Sequence, residues 1–504
     1  MIQLSAVALL FLFWGAVYAA DILILSSSYS RRYERFLHHT GLSVSLGQVR
    51  WYTAGLNRTF VRLASWQSHW QRAWFSAGVW FAYVAMVGSI VLLVGTLVQG
   101  VRNLTRAPEE RTQQILVPVM PGVNLPWNHM VYFAATLLLA GVLHELGHAI
   151  AAIREQVRVN GFGIFCFVIY PGAFVDLSTE HLDSVSAKQK LRIFCAGVWH
   201  NFVLVLLALV LLVCMPFLLL PLYSTGQAAV VTGLVEDTAV SGPRGILLGD
   251  HVTRMDDCPI RSKEDWEQCI LGILHTPHRG FCQSADQIEH FNTAVKVHKT
   301  AHGVVECCNT NTSLSELCFS YRHSNLSSQN HACLPARRTA SGAVCRTNSD
   351  CLTPGHHKLS RLNPWPHGVY CLFPALDNNT RLVRVSQGRD PPMLFLGNPW
   401  ELYYHAKVSS YMPRFNFLPL ELPEVLETFC KYLISLSGAL AVLNVVPCHA
   451  LDGQWILSAL VDLQLGKLLP NRRDRDAVAA LVSLLGTVLL GANIALALWS
   501  LIFR

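Results

Sequence analysis

Three stretches free of charged residues, Trp74 to Val98, Ala196 to Leu222 and Ala477 to Phe503, leave this chain few ways to fold. A helix needs about 20 apolar residues to cross a hydrocarbon core of roughly 30 Å, and each stretch is long enough. Val131 to Ile153 and Tyr432 to Leu451 have similar length but carry polar side chains within them: His144, Glu145 and His148 in one, Asn444 in the other. Met1 to Ala20 is also apolar. Val17 and Ala19 would suit signal-peptide cleavage, yet no basic residue precedes the segment, so an uncleaved anchor is the expectation. Only 14% of the residues are charged, against about a quarter in soluble domains. The fold class that follows is a multi-pass α-helical membrane protein with about six spans.

The formal charge of +7 does not argue for a nucleic-acid partner. Arg31, Arg32, Arg35, Arg50, Arg58, Arg62 and Arg72 gather beside apolar segments, where membrane topology and the lipid bilayer account for them better. Cysteine usage points to a second compartment. Of fifteen cysteines, ten lie between Cys258 and Cys371, in a region that also carries the sequons at Asn311, Asn325 and Asn378. An even cysteine count beside glycosylation acceptors suggests an oxidising lumen. A second zinc site there is a poorer reading, since no paired C-x-x-C units occur.

Four segments follow along the chain. Residues 1–128 hold N-terminal spans and loops, and 129–223 hold the His144 helix, an apolar GFGIFCFVIYPGAF stretch from Gly161 to Phe174, and a further span. That stretch is too short to cross as a helix and reads as a re-entrant β-hairpin or a buried turn. Residues 224–427 are hydrophilic. Val230 to Ile270 alternates short apolar runs with turns, and strand-like patterning returns at Leu394-Phe395-Leu396 and Tyr403-Tyr404, as though a cysteine-rich insertion, about 280–390, interrupted one β-rich domain. Residues 428–504 hold the Asn444 helix and a last span. If 224–427 is luminal, parity puts His144, Glu145, His148, Asn201 and Asp452 at one depth near the cytosolic leaflet. It also makes the 465–476 loop, with Lys467, Arg472, Arg473 and Arg475, cytosolic, as the positive-inside tendency prefers. The sequon at Asn57 is then unused.

His144-Glu145-Leu146-Gly147-His148 places two imidazoles four residues apart on one helical face, so both reach a single zinc ion while Glu145 faces its water. Ionisable side chains in a membrane helix are costly, by about 2.5 to 3.5 kcal/mol for Asp, Lys or Arg at the helix centre, which makes a bland role for three ionisable residues in five positions a poor explanation. Catalytic zinc needs a third protein ligand and one open position. Asp452, in Asn444-Val445-Val446-Pro447-Cys448-His449-Ala450-Leu451-Asp452-Gly453, is the best candidate, with His449 as a rival. Pro447 would end or kink the helix, and Gly453 allows a tight exit. Glu145 is superfluous for holding metal, which favours a protease over a zinc transporter or a receptor.

These motifs, with Gly197-Val198-Trp199-His200-Asn201 between them, resemble the site-2 protease family of intramembrane zinc metalloproteases, and most of all its animal branch. The pattern is HExxH on one membrane helix and Asn-x-x-Pro-x-x-x-Leu-Asp-Gly on a later one. The long serine-rich loop of animal members, before the HExxH helix, is missing here. The resemblance implies a three-helix catalytic core, one Zn2+ held by His144, His148 and Asp452, and Glu145 as general base. Asn201 and Asn444 are then expected to support substrate or transition state, or to make interhelical hydrogen bonds only. It also implies a PDZ-like luminal domain with a cysteine-rich insertion and a place in the endoplasmic reticulum and Golgi. The implied substrates are single-pass membrane proteins already trimmed on the luminal side, such as sterol regulatory element-binding proteins and ER-stress transcription factors.

Overall fold

The computed structural model describes residues 4–66, 68–105, 119, 124–241, 245–299, 304–309, 315–322, 329–352, 368–388 and 391–502. The sequons at Asn311 and Asn325 lie outside the described residues. The chain divides into two compact units, one of Met1–Met215 with Leu426–Arg504 and one of Pro216–Val425. Among the described residues, six helices are long and apolar enough to cross a membrane.

The first unit contains helices α1 (Leu4–Leu25), α2 (Ser30–Thr40), α3 (Asn57–Ser65), α4 (Ser68–Thr105), α5 (Met130–Arg154), α6 (Thr179–Ser184) and α7 (Ala187–Leu219), followed after the second unit by Leu422–Asn444, Asp452–Leu465 and Arg472–Ile502. The apolar residues Val84, Val91, Leu207, Val213 and Phe217 of α4 and α7 stay exposed, as a lipid solvent permits. The inward faces are built from small residues. On α5 the buried positions are Phe133, Thr136, Ala140, His144, Gly147, His148, Ala149, Ala151 and Ala152. A Cβ on Gly147 would lie 2.9 Å from the Ala196 carbonyl of α7, so the glycine lets the two backbones approach, and the helical spacing turns both histidines to that seam.

The Asn444 helix stops earlier than its apolar run suggests, at Asn444 and not Leu451. Pro447 has no N–H to continue the ladder, and the link to the next helix includes Ala450 at φ 71°. Gly453 is not an exit residue but the second residue of the following helix. Its role is steric: a Cβ there would sit 2.0 Å from the Val446 carbonyl, so only glycine lets the turn fold back tightly enough to bring Asp452 inward.

A β-hairpin, β3 (Val159–Phe167) and β4 (Tyr170–Leu177), covers the Gly161 to Phe174 stretch. It does not stand alone. β1 (Leu42–Ser45) and β2 (Gln48–Thr53), from the basic segment after α1, extend it into a four-stranded sheet in the order β1-β2-β3-β4, with Trp51 opposite Ile164 and Tyr52 opposite Gly163. Glycines make room for aromatic rings across the strands: a Cβ on Gly161 would meet the Tyr52 ring at 2.4 Å. Asn57 donates to the carbonyls of Val159 and Asn160 at 3.1 and 3.0 Å, tying α3 to β3.

In the second unit, Ala229–Leu234 pairs with Ala406–Ser409, and Arg254–Met255 pairs with Arg381–Ser386. Val231, Met255, Trp266, Ile270, Val385, Phe395 and Leu402 therefore share one core although more than a hundred residues interrupt it. The interruption forms its own five-stranded sheet from 280–284, 316–322, 329–335, 344–345 and 369–374. Arg381–Ser386 belongs to the outer core, so the inserted body ends before it and does not extend to 390. Tyr403 and Tyr404 are helical rather than strand residues, because Asn398 caps the helix Pro399–His405 by accepting from the Trp400 N–H. All ten clustered cysteines are paired, as Cys258–Cys269 in the outer core and Cys282–Cys351, Cys307–Cys318, Cys308–Cys333 and Cys345–Cys371 in the inserted body. Each crosslink contributes about 2 to 4 kcal/mol.

Candidate metal centre

The donor atoms come together in the first unit. The Nε2 atoms of His144 and His148 are 3.1 Å apart, and Asp452 Oδ2 lies 2.8 Å from the first and 3.3 Å from the second. Tetrahedral zinc with bonds of about 2.0 to 2.2 Å places its donors about 3.3 Å from one another, so the trio matches such an ion in number, type and spacing. His449 does not join it; that side chain is exposed. The other metal-capable groups among the described residues contain disulfide-bonded cysteines.

Two features show that the trio fits a cation. His148 Nδ1 is 2.7 Å from the Ile193 carbonyl, and since a carbonyl only accepts, the ring carries a proton there. Its Nε2 then turns a lone pair toward Asp452 Oδ2, 3.3 Å away, and two acceptors so placed call for a proton or a metal ion between them. Gly197 on α7 supplies the room. A Cβ at that position would lie 2.4 Å from His148 Nε2 and 2.5 Å from His144 Nε2.

The surrounding polar residues take distinct places. Glu145 Oε2 accepts the Val175 N–H of β4 at 3.0 Å. Because that N–H points away from β3, it marks the outer edge of the sheet, an edge that also tolerates Pro171. Asn444 Nδ2 lies 3.5 Å from His144 Nε2, on the donor side of the ring. Asn201 is different: its Nδ2 lies 3.0 Å from His144 Nδ1, the other ring nitrogen, and the side chain is fully buried. His200 is turned aside, with Nδ1 2.7 Å from the Ala196 carbonyl.

Ile193 escapes a sequence reading because it contributes a backbone carbonyl, and Gly197, though part of the motif before Asn201, gives no sign there of the space it leaves. The involvement of β4 is equally silent, since an N–H has no residue type.

Residues 132–386 match the family model of peptidase family M50, which is half of the chain. The chain belongs to peptidase family M50. A protein of Arabidopsis thaliana described as a membrane-bound transcription factor site-2 protease homolog is 25% identical over 470 residues, covering 84% of this chain and 87% of its own length. M50 peptidases, the site-2 protease family, are zinc metalloproteases that act by intramembrane proteolysis, and this chain is a membrane metalloprotease. The M50 match runs from the helix of His144 into the second unit and stops before Asn444 and Asp452. The similarity to the Arabidopsis relative extends over most of the chain.

Proposed function

We propose that one zinc ion is held by His144, His148 and Asp452, with Glu145 as general base, and that the enzyme cuts transmembrane helices of membrane-tethered transcription factors after luminal trimming. The observation that carries this is the convergence of His144 Nε2, His148 Nε2 and Asp452 Oδ2 within 3.3 Å, with Glu145 one residue away on the same helix. Zinc bound there supplies Lewis acidity, acidifying water and polarising a carbonyl. Glu145 takes the proton from the attacking water and passes it to the leaving amine. Asn444, on the donor side of His144, is placed to hydrogen-bond the scissile carbonyl as charge develops on its oxygen.

A substrate helix hides its carbonyls in its own hydrogen bonds and must unwind before attack. The outer edge of β4 meets Glu145 through the Val175 N–H, so an unwound segment added to that edge as a further strand lies beside the base. The outer core of the second unit serves, in this reading, as a PDZ-like luminal filter carrying the disulfide-rich body. The enzyme then resides in the endoplasmic reticulum and Golgi, its site near the cytosolic leaflet. Sterol regulatory element-binding and ER-stress factors are the proposed substrates.

The test is release of a cytosolic reporter from a pre-trimmed single-pass substrate in cells lacking their own enzyme, with zinc content measured on the purified proteins. Wild type is expected to release the reporter. Glu145→Gln should abolish release and keep its zinc, whereas Asp452→Asn should lose both. Undiminished release by Glu145→Gln would overturn the reading in favour of metal transport or scaffolding.

A further inference from the structure

α7 meets the two histidines along one stripe, Ile193, Gly197 and Asn201, each four residues from the next. Ile193 takes the outer proton of His148, with its carbonyl 2.7 Å from Nδ1. Gly197 leaves open the space beside both Nε2 atoms. Asn201 then stands to His144 as Ile193 stands to His148. Its amide is 3.0 Å from His144 Nδ1, and it has no exposed surface.

His144 must carry its proton on Nδ1 if its Nε2 is to offer a lone pair to a metal, and a proton on Nδ1 needs an acceptor. Amide nitrogen and oxygen are nearly alike in shape, so a half-turn about the terminal bond exchanges them. The Asn201 Oδ1 is buried without a hydrogen-bond partner and is free to take that place. We propose that Asn201 is a positioning residue whose Oδ1 accepts the His144 Nδ1–H, fixing the tautomer and the ring so that Nε2 faces the metal. The proposal rests on the metal-centre reading above. It separates Asn201 from Asn444: one amide acts behind a ligand ring, the other at the substrate side.

Zinc affinity of the full-length chain in detergent, measured by competition with a chromogenic chelator, tests it without reference to cleavage. Asn201→Leu keeps the volume and removes the acceptor. It is expected to weaken zinc binding by about 10- to 100-fold, as loss of an outer partner does at other sites. Asn201→Asp keeps an acceptor and should bind at least as tightly as wild type. Wild-type affinity in Asn201→Leu would overturn the proposal, more so if cleavage were lost, because contact with substrate would then account for Asn201. An Asp variant weakened tenfold or more would also overturn it, and decides the matter should the Leu variant fail to accumulate. Absence of zinc from wild type would instead sink the metal-centre reading itself.

Discussion

At the scale of single residues, the centre depends as much on what is missing as on what is present. Gly197 contributes nothing but space, yet a methyl group there would stand 2.4 to 2.5 Å from both imidazole Nε2 atoms. Gly197→Ala is therefore expected to lower bound zinc by more than about tenfold while the protein still accumulates, which metal analysis of the purified variant would check. Retention of a full equivalent would mean the rings can withdraw without cost. That His144 and His148 share one helical face with Glu145 beside them was legible in residue type and spacing, and Asp452 in its place after Pro447. The roles of Gly197 and Ile193 were not, because an open space and a backbone carbonyl leave no such mark. Asn201 stood out as polar in an apolar helix, but its partner, the far nitrogen of a ring on another helix, emerges only in three dimensions.

At the scale of elements, the sheet brings Glu145 against the outer edge of β4, the edge proposed above to receive substrate. The Val175 N–H points away from β3, so proline at 175 would remove the contact to Glu145 and leave the β3–β4 ladder intact. Val175→Pro is expected to slow cleavage about tenfold or more with zinc content unchanged, a factor of ten being about 1.4 kcal/mol of lost transition-state stabilisation. A rate equal to wild type would remove this edge from the mechanism. The hairpin was readable from an apolar stretch too short to span and rich in glycine. Its extension by β1 and β2 was not, for two physical reasons. The pairing joins segments separated by α3, α4 and α5, and β2 carries Arg50 and Gln48, which mask the alternation. Arg50 nonetheless finds a place, 4.8 Å from the centre of the Phe174 ring.

At the scale of the whole molecule, the sequons offer a direct reading of sidedness. Asn378 is exposed, so with the second unit in the lumen Asn378→Gln should remove a glycosidase-sensitive shift in electrophoretic mobility. Asn57→Gln should change nothing, because the Asn57 amide is engaged with β3. A glycan on Asn57 would reverse the proposed orientation of the early spans. The return of a strand at Leu394-Phe395-Leu396 after the cysteine-rich stretch was readable in the sequence, whereas the helix at Tyr403-Tyr404 was not. The five disulfide pairings could not be read, since spacing alone favours none of the many alternatives.

His144 and Asp452 are separated by 308 positions, and the entire disulfide-bonded unit is threaded between them. A ribosome therefore delivers two of the proposed donors early and the third only after that unit has been made. On the proposed ligand set the nascent chain lacks a complete metal site, and with it peptidase capacity, until its last helices are made.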